Sequence, residues 1–203
     1  MAIEFFRRAP GRPGRLGILP GSFNPPTVAH LALARAALAV VDETLFVLPQ
    51  VFPHKTYEGA GFADRVQLLE AALADEPRCS IGATAGGLFI EIAREVRTAY
   101  GAGTRLSFLC GRDAAERIVR WDYGRPGAID EMLEEFDLLV AARRGEYHPP
   151  EHLAGRIAAL ALPPGCDEVS ASEVRRRAAA GEPWEHLVPR AGVPLVRRLY
   201  ARG

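Results

Sequence analysis

Ten residues near the start of the chain, Gly21-Ser22-Phe23-Asn24-Pro25-Pro26-Thr27-Val28-Ala29-His30, gather groups suited to holding an anion. The apolar run 16–19 is consistent with a buried strand, the Pro-rich loop stops it, and the Ala-rich stretch from Val28 to about Val40 favours helix. Strand, tight loop and helix start together aim backbone N–H groups and a helix dipole at negative charge. Thr27 and His30 are three apart and share a face of the first turn; Thr27 also suits a helix N-cap. Ser22 and Asn24 are turn formers that can also donate to phosphate. A second anion-directed start lies at Val169-Ser170-Ala171-Ser172-Glu173-Val174-Arg175, where Ser170 and Glu173 have capping-box spacing. Arg175 lies in its first turns, and the planar guanidinium suits phosphate. Neither G-x-G-x-x-G after the first strand nor G-x-x-x-x-G-K-[ST] anywhere is present, which argues against a nicotinamide-dependent dehydrogenase and a P-loop ATPase.

The elements that must position these groups follow from periodicity. Strands are expected at 16–19, 44–48, 78–81, 106–110, 137–141 and 157–162. Helices are expected at 28–40, 62–74, 88–100, 114–120, 129–136, 171–180 and 192–201. Their alternation predicts an α/β, Rossmann-like fold: a parallel sheet of five to six strands with helices on both faces. Residues 1–14, ending in a Pro/Gly/Arg cluster, read as a loose tail before one domain over 15–203. Ligands of such sheets gather at the carboxyl ends of the strands, and four loops there carry candidates: His30, Lys55, Asp113 and Arg143.

Composition removes other classes. The 203 residues carry 25 basic and 25 acidic side chains, so no general attraction to nucleic acid or anionic membrane is expected. No apolar stretch has transmembrane length, and no signal-peptide core opens the chain, which favours a cytoplasmic protein. Cys79, Cys110 and Cys166 are widely spaced and read as reduced thiols filling the core. Lys55 is the only lysine.

The loop 21–30 resembles the signature of the (T/H)-x-G-H nucleotidyltransferases, and most closely that of the nicotinate and nicotinamide mononucleotide adenylyltransferases, G-[ST]-F-[DN]-P-[PI]-H-x-G-H. Thr27 replaces that branch's first His and Ala29 its Gly. Val169 to Arg175 resembles the family's I-S-[ST]-T-x-[IV]-R, and Pro53-His54-Lys55 resembles its P-P-H-K loop. Gly111-x-Asp113, with Trp121 downstream, resembles the G-x-D and Trp of the pyridine-nucleotide branch. The C-terminal residues also resemble the family's pattern of R-x-x-x-x-G, then L-V-P, then V-x-x-Y, so the likeness runs over about 15–201.

The resemblance implies adenylyl transfer from Mg-ATP to a mononucleotide in NAD synthesis, with Mg²⁺ carried on the phosphates. It implies His30, Thr27, Lys55 and Arg175 as the catalytic set, with His54 beside Lys55. Gly21, Ser22, Phe23, Asn24, Ser170 and Ser172 would form the ATP-phosphate cradle. Gly111, Asp113, Trp121 and Arg143 would bind the acceptor, with Asp113 on a sugar hydroxyl and Trp121 on the pyridine ring. No residue is expected to hold a metal. Thr84 to Ile90 departs from the Tyr-Thr-containing segment in which the family sorts acid from amide. Thr27 and that departure keep phosphopantetheine and cytidylyl-transfer acceptors open, and a non-catalytic nucleotide-binding regulator is the rival of another class. A similar His loop occurs in class I aminoacyl-tRNA synthetases, but the chain is short for one and lacks a K-M-S-K-S-like segment.

Overall fold

The computed structural model describes residues 2–51, 59–121, 124, 126–141, 147–166 and 169–201. Its strands are β1 (Glu4–Arg7), β2 (Arg15–Pro20), β3 (Glu43–Pro49), β4 (Cys79–Thr84), β5 (Arg105–Gly111), β6 (Asp137–Ala141) and β7 (Ile157–Leu160). Its α-helices are α1 (Val28–Ala37), α2 (Phe62–Ala72), α3 (Phe89–Tyr100), α4 (Arg112–Arg120), α5 (Ala128–Glu135), α6 (Ala171–Ala180) and α7 (Val193–Tyr200). All six expected strands and seven expected helices are present, with ends displaced by a few residues.

One seven-stranded sheet runs β1-β4-β3-β2-β5-β6-β7. Strands β2 to β7 pair in parallel, and β1 pairs antiparallel to β4. The chain leaves β2 outward through β3 and β4, then returns to its other side for β5, β6 and β7. The order therefore reverses between β2 and β5, which opens a crevice above their carboxyl ends. The β2–β5 register ends at the pair Ile18–Phe108, and Gly21 and Gly111 each lie three residues further along their chains.

Both faces of the sheet are covered, which explains the continuous apolar runs of its strands. Leu19, Phe46 and Leu48 pack with Leu33 of α1 and Leu69 of α2, whereas Ile18, Leu45 and Val47 pack with Ile92 of α3, Ala115 of α4 and Leu133 of α5. A third cluster joins α6 and α7 to Ala29 of α1 and Leu68 of α2 through Val174, Trp184 and Val196. Burying a large side chain such as Phe46, with no exposed surface, contributes about 1.5–3 kcal/mol.

Glu4–Arg7 corrects the expectation of a loose tail and brings the strands among the described residues to seven. Phe5 and Phe6 pack against opposite clusters, as adjacent residues of a strand must. The segment is pinned further by Ala9 N–H, which donates to Ser80 Oγ at 2.8 Å, while Ser80 Oγ donates to the buried Glu43 carboxylate at 2.6 Å. The close approach of β1 requires Gly82: a Cβ there would lie 2.7 Å from Ile3 Cδ1 and 3.1 Å from the Glu4 carbonyl. Gly82→Ala is expected to push β1 away at a cost of about 1–3 kcal/mol. Thermal unfolding should show Tm lower by several degrees, and an unchanged Tm would mean that β1 adds nothing to the sheet's stability.

Candidate functional site

Thr27 caps α1 in an extended conformation, φ −119° and ψ 167°. Its N–H donates to His30 Nδ1 at 3.0 Å, and its hydroxyl lies 2.8 Å from the same nitrogen. Because Nδ1 must accept from that N–H, a neutral ring carries its proton on Nε2, which becomes a donor. The ring packs edge-on to Phe23, with centroids 5.3 Å apart, and Phe23 leans on Phe46 at 5.4 Å. Position and tautomer of His30 are thus both imposed by its own loop. Thr27 is fully buried, so its hydroxyl serves the imidazole and the helix start.

The loop that presents His30 is held from several elements. Gly21 N–H donates to Val47 O of β3 at 3.0 Å, and Arg65 of α2 donates to Ser22 O at 3.2 Å. Phe23 is buried at φ +45°, and the Asn24–Pro25 peptide is cis. Asn24, 2% exposed, turns inward. Its side-chain oxygen accepts from Ala60 N–H at 3.3 Å and from the Tyr200 hydroxyl of α7, and its carbonyl accepts from Arg175 of α6 at 2.6 Å.

Arg175 therefore ties α6 to the loop, with a longer bond to Ser172 Oγ at 3.3 Å. Ser170 caps α6 by accepting from Glu173 N–H at 3.2 Å. The expected reciprocal half of the capping box gives way to ion pairs, as Glu173 binds Arg176 and Arg177 at 2.9 and 2.7 Å. Hydrogen bonds from Arg176 and then Arg177 hold its carboxyl down at about 2. That lowered value makes the pairing a stabilising contribution above the ordinary carboxylate range, lost as pH falls toward 2. The two anion-directed helix starts, far apart in sequence, meet at Asn24.

Across the crevice, Gly111 ends β5 and Asp113 stands exposed on the first turn of α4. Trp121 follows the last turn, half exposed in extended backbone. Helical rise puts it about 12–15 Å from Gly111 along that element. Beneath, burial pushes the Cys110 thiol up to about 12, which leaves it an inert core group. In the segment after β4, Ala85 and Gly86 N–H donate to Glu95 at 3.1 and 2.8 Å, and Gly87 and Leu88 N–H donate to Glu91, both at 3.0 Å. Lys55, His54 and Arg143 lie outside the described residues.

Three residues here were not singled out from sequence. Arg65 is 5% exposed and falls within the apolar stripe Phe62, Val66, Leu69 of α2, where a charged side chain was itself a signal. Tyr200 and Gly59 carried no such local mark. A Cβ on Gly59, at φ +142°, would come within 2.0 Å of Asn24 Nδ2.

An α/β sheet whose strand order reverses beside the loop 21–30 has the architecture of nucleotide-binding enzymes, and the comparisons agree. The cytidylyltransferase-like family model matches residues 18–177. A relative from Solibacter usitatus, described as a "probable nicotinate-nucleotide adenylyltransferase", is 33% identical over 86% of this chain and 93% of its own. One from Thermus thermophilus, described in the same words, is 30% identical over 87% and 93%. The Plasmodium falciparum nicotinic acid mononucleotide adenylyltransferase complexed with NaAD superposes with TM-score 0.68 over 91% of this chain and 95% of that one, at 15% identity, a likeness of fold. The chain is a nucleotidyltransferase, and it belongs to the nicotinate-nucleotide adenylyltransferase family within the cytidylyltransferase-like group.

Gly59→Ala is expected to displace the Asn24 amide and with it the loop. Turnover should fall about tenfold or more, since a misplacement of about 1 Å can cost on the order of 100-fold. Wild-type turnover in this variant would show that the inward tie of Asn24 is dispensable.

Proposed function

We propose that the protein joins ATP and nicotinate mononucleotide to give the dinucleotide and pyrophosphate, a step of NAD synthesis. A phosphate oxygen of the mononucleotide bonds to the α-phosphorus of ATP. The bond from that phosphorus to the bridging oxygen breaks, and pyrophosphate leaves with the electron pair. The attacking oxygen is already anionic, so no general base is needed. The task is to align two polyanions and to stabilise charge as it moves onto the leaving group.

The observation that carries this reading is the meeting of the loop 21–30 with α6 above the carboxyl ends of β2 and β5. His30 Nε2–H serves as a phosphate donor, fixed by Thr27 on its other nitrogen. Gly21, Ser22 and Phe23 contribute backbone to the phosphate cradle. The start of α6, capped by Ser170 and carrying Ser172, adds the positive end of its dipole. Arg175 contributes field close to the phosphates while bonded to Asn24, and Lys55 adds a cation. Asp113 takes a sugar hydroxyl of the acceptor, Trp121 offers its exposed face to the pyridine ring, and Arg143 adds a phosphate contact. Mg²⁺ would enter with the substrate as Mg-ATP, carried on its phosphates. The acid is preferred over the amide because the two relatives above are described as acting on nicotinate nucleotide. A cytoplasmic site of action suits this chemistry, and no helix among the described residues is long and apolar enough to cross a membrane.

The test is to supply Mg-ATP with nicotinate mononucleotide, nicotinamide mononucleotide or phosphopantetheine, and to measure pyrophosphate and adenylylated product together. Dinucleotide formed fastest with nicotinate mononucleotide is the expected result. Product with phosphopantetheine alone would move the protein to another acceptor, and ATP binding without product would make it a nucleotide sensor. His30→Ala should lose on the order of 100-fold or more in kcat, the usual cost of one preorganised donor, with the fold intact by circular dichroism. Activity within about tenfold of wild type would remove His30 from the mechanism.

A further inference from the structure

In a trans peptide the carbonyl of one residue and the N–H of the next point in opposite directions. The Ser22 carbonyl accepts from Arg65 at 3.2 Å. The N–H of Phe23 is thereby turned away from α2, and among the described residues it meets no acceptor. Phe23 sustains this setting at φ +45°, a backbone region that a bulky side chain rarely occupies. One residue on, the Asn24 side-chain oxygen is held by the Tyr200 hydroxyl from 176 positions away. Oxygens of 22 and 24 are thus drawn inward by donors from α2 and α7.

Arg65 is an expensive choice for a role in stability alone. It is 5% exposed, and removing a guanidinium from water costs several kcal/mol where an apolar side chain of similar length would pack without that penalty. Its Cζ lies 5.5 Å from the Phe62 ring centroid, which helps to hold the guanidinium against the Ser22 carbonyl.

We propose that Arg65 and Tyr200 are positioning residues of the site. Arg65 sets the 22–23 peptide so that Phe23 N–H faces a phosphate oxygen of the bound nucleotide, and Tyr200 locks Asn24 so that the loop keeps that setting. Neither side chain touches substrate; each acts through a loop oxygen. The proposal rests on the adenylyl-transfer reading of this loop.

The experiment compares wild type with Tyr200→Phe, Arg65→Met, Arg65→Lys, Asn24→Ala and the Tyr200→Phe/Asn24→Ala pair, measuring kcat, KM for Mg-ATP, ATP Kd and Tm. Tyr200→Phe and Arg65→Met should lose about 10- to 100-fold in kcat/KM, with Tm within a few degrees of wild type. Arg65→Lys, which retains one donor, should recover part of that loss. Tyr200→Phe should cost almost nothing further once Asn24 is Ala, since non-additivity marks groups acting as one unit. Wild-type kinetics in Tyr200→Phe or Arg65→Met, or full additivity with Asn24→Ala, would overturn the proposal. So would losses that vanish when the assay is run well below each variant's Tm. Should wild type itself make no dinucleotide, the adenylyl-transfer reading fails separately. The ATP Kd then decides the positioning role: weakened binding in both variants upholds it, and wild-type binding ends it.

Discussion

A guanidinium at position 175 donates to a carbonyl at position 24, and the active face of the protein depends on that closure. The sheet alone would supply only a crevice between β2 and β5. The loop that fills this crevice is rich in proline and glycine and belongs to no regular element. Its shape is therefore imposed by what surrounds it: β3 through Gly21, α2 through Ser22, and α6 and α7 through Asn24. Ordering each loop residue costs about 1–2 kcal/mol of backbone entropy. Bonds from distant helices offset that cost before a substrate arrives, which is the condition for preorganised electrostatics.

The division of labour within the loop follows from the same constraint. Oxygens turn inward to donors of the protein, while Thr27 on Nδ1 sets the neutral imidazole to carry its proton on Nε2. Reactions that shift negative charge need such donors and no nucleophile. Asn24, which the sequence alone offered as a turn former or a phosphate contact, spends its side-chain oxygen on Ala60 and Tyr200 and its carbonyl on Arg175. Arg175 lies on α6 as expected from the sequence, and its shorter hydrogen bond goes to the loop at Asn24 and its longer one to Ser172.

Much of the architecture could be read from the chain because its physics is local. Strands buried on both faces must be apolar runs, and β2, β3, β5 and β6 are such runs. The stripe of α2 and the Ser170 cap of α6 are equally local. The first strand was missed because four residues beside a Pro/Gly cluster carry little periodic signal, and their stability comes from a neighbour 74 to 79 positions away. Gly59 and Tyr200 escaped for the same reason, since their meaning exists only once Asn24 has been placed between them. Arg65 differs, because a charge within an apolar stripe was visible and could have been questioned.

Two departures from the family's usual signature can be explained from the packing. Thr27 stands where the closest branch has His, and its hydroxyl reaches His30 Nδ1, a contact that a second imidazole would have to make in another way. Ala29 replaces Gly at 2% exposure, and its methyl group enters the cluster that joins α1 to Val174 of α6 and Val196 of α7. A glycine there would remove that methyl from a packed contact and weaken the helix by roughly 0.5–1 kcal/mol. Both substitutions act on the framework behind the phosphate face. They leave His30 held at Nδ1 and the loop bound to α6, the two features on which the proposed transfer relies.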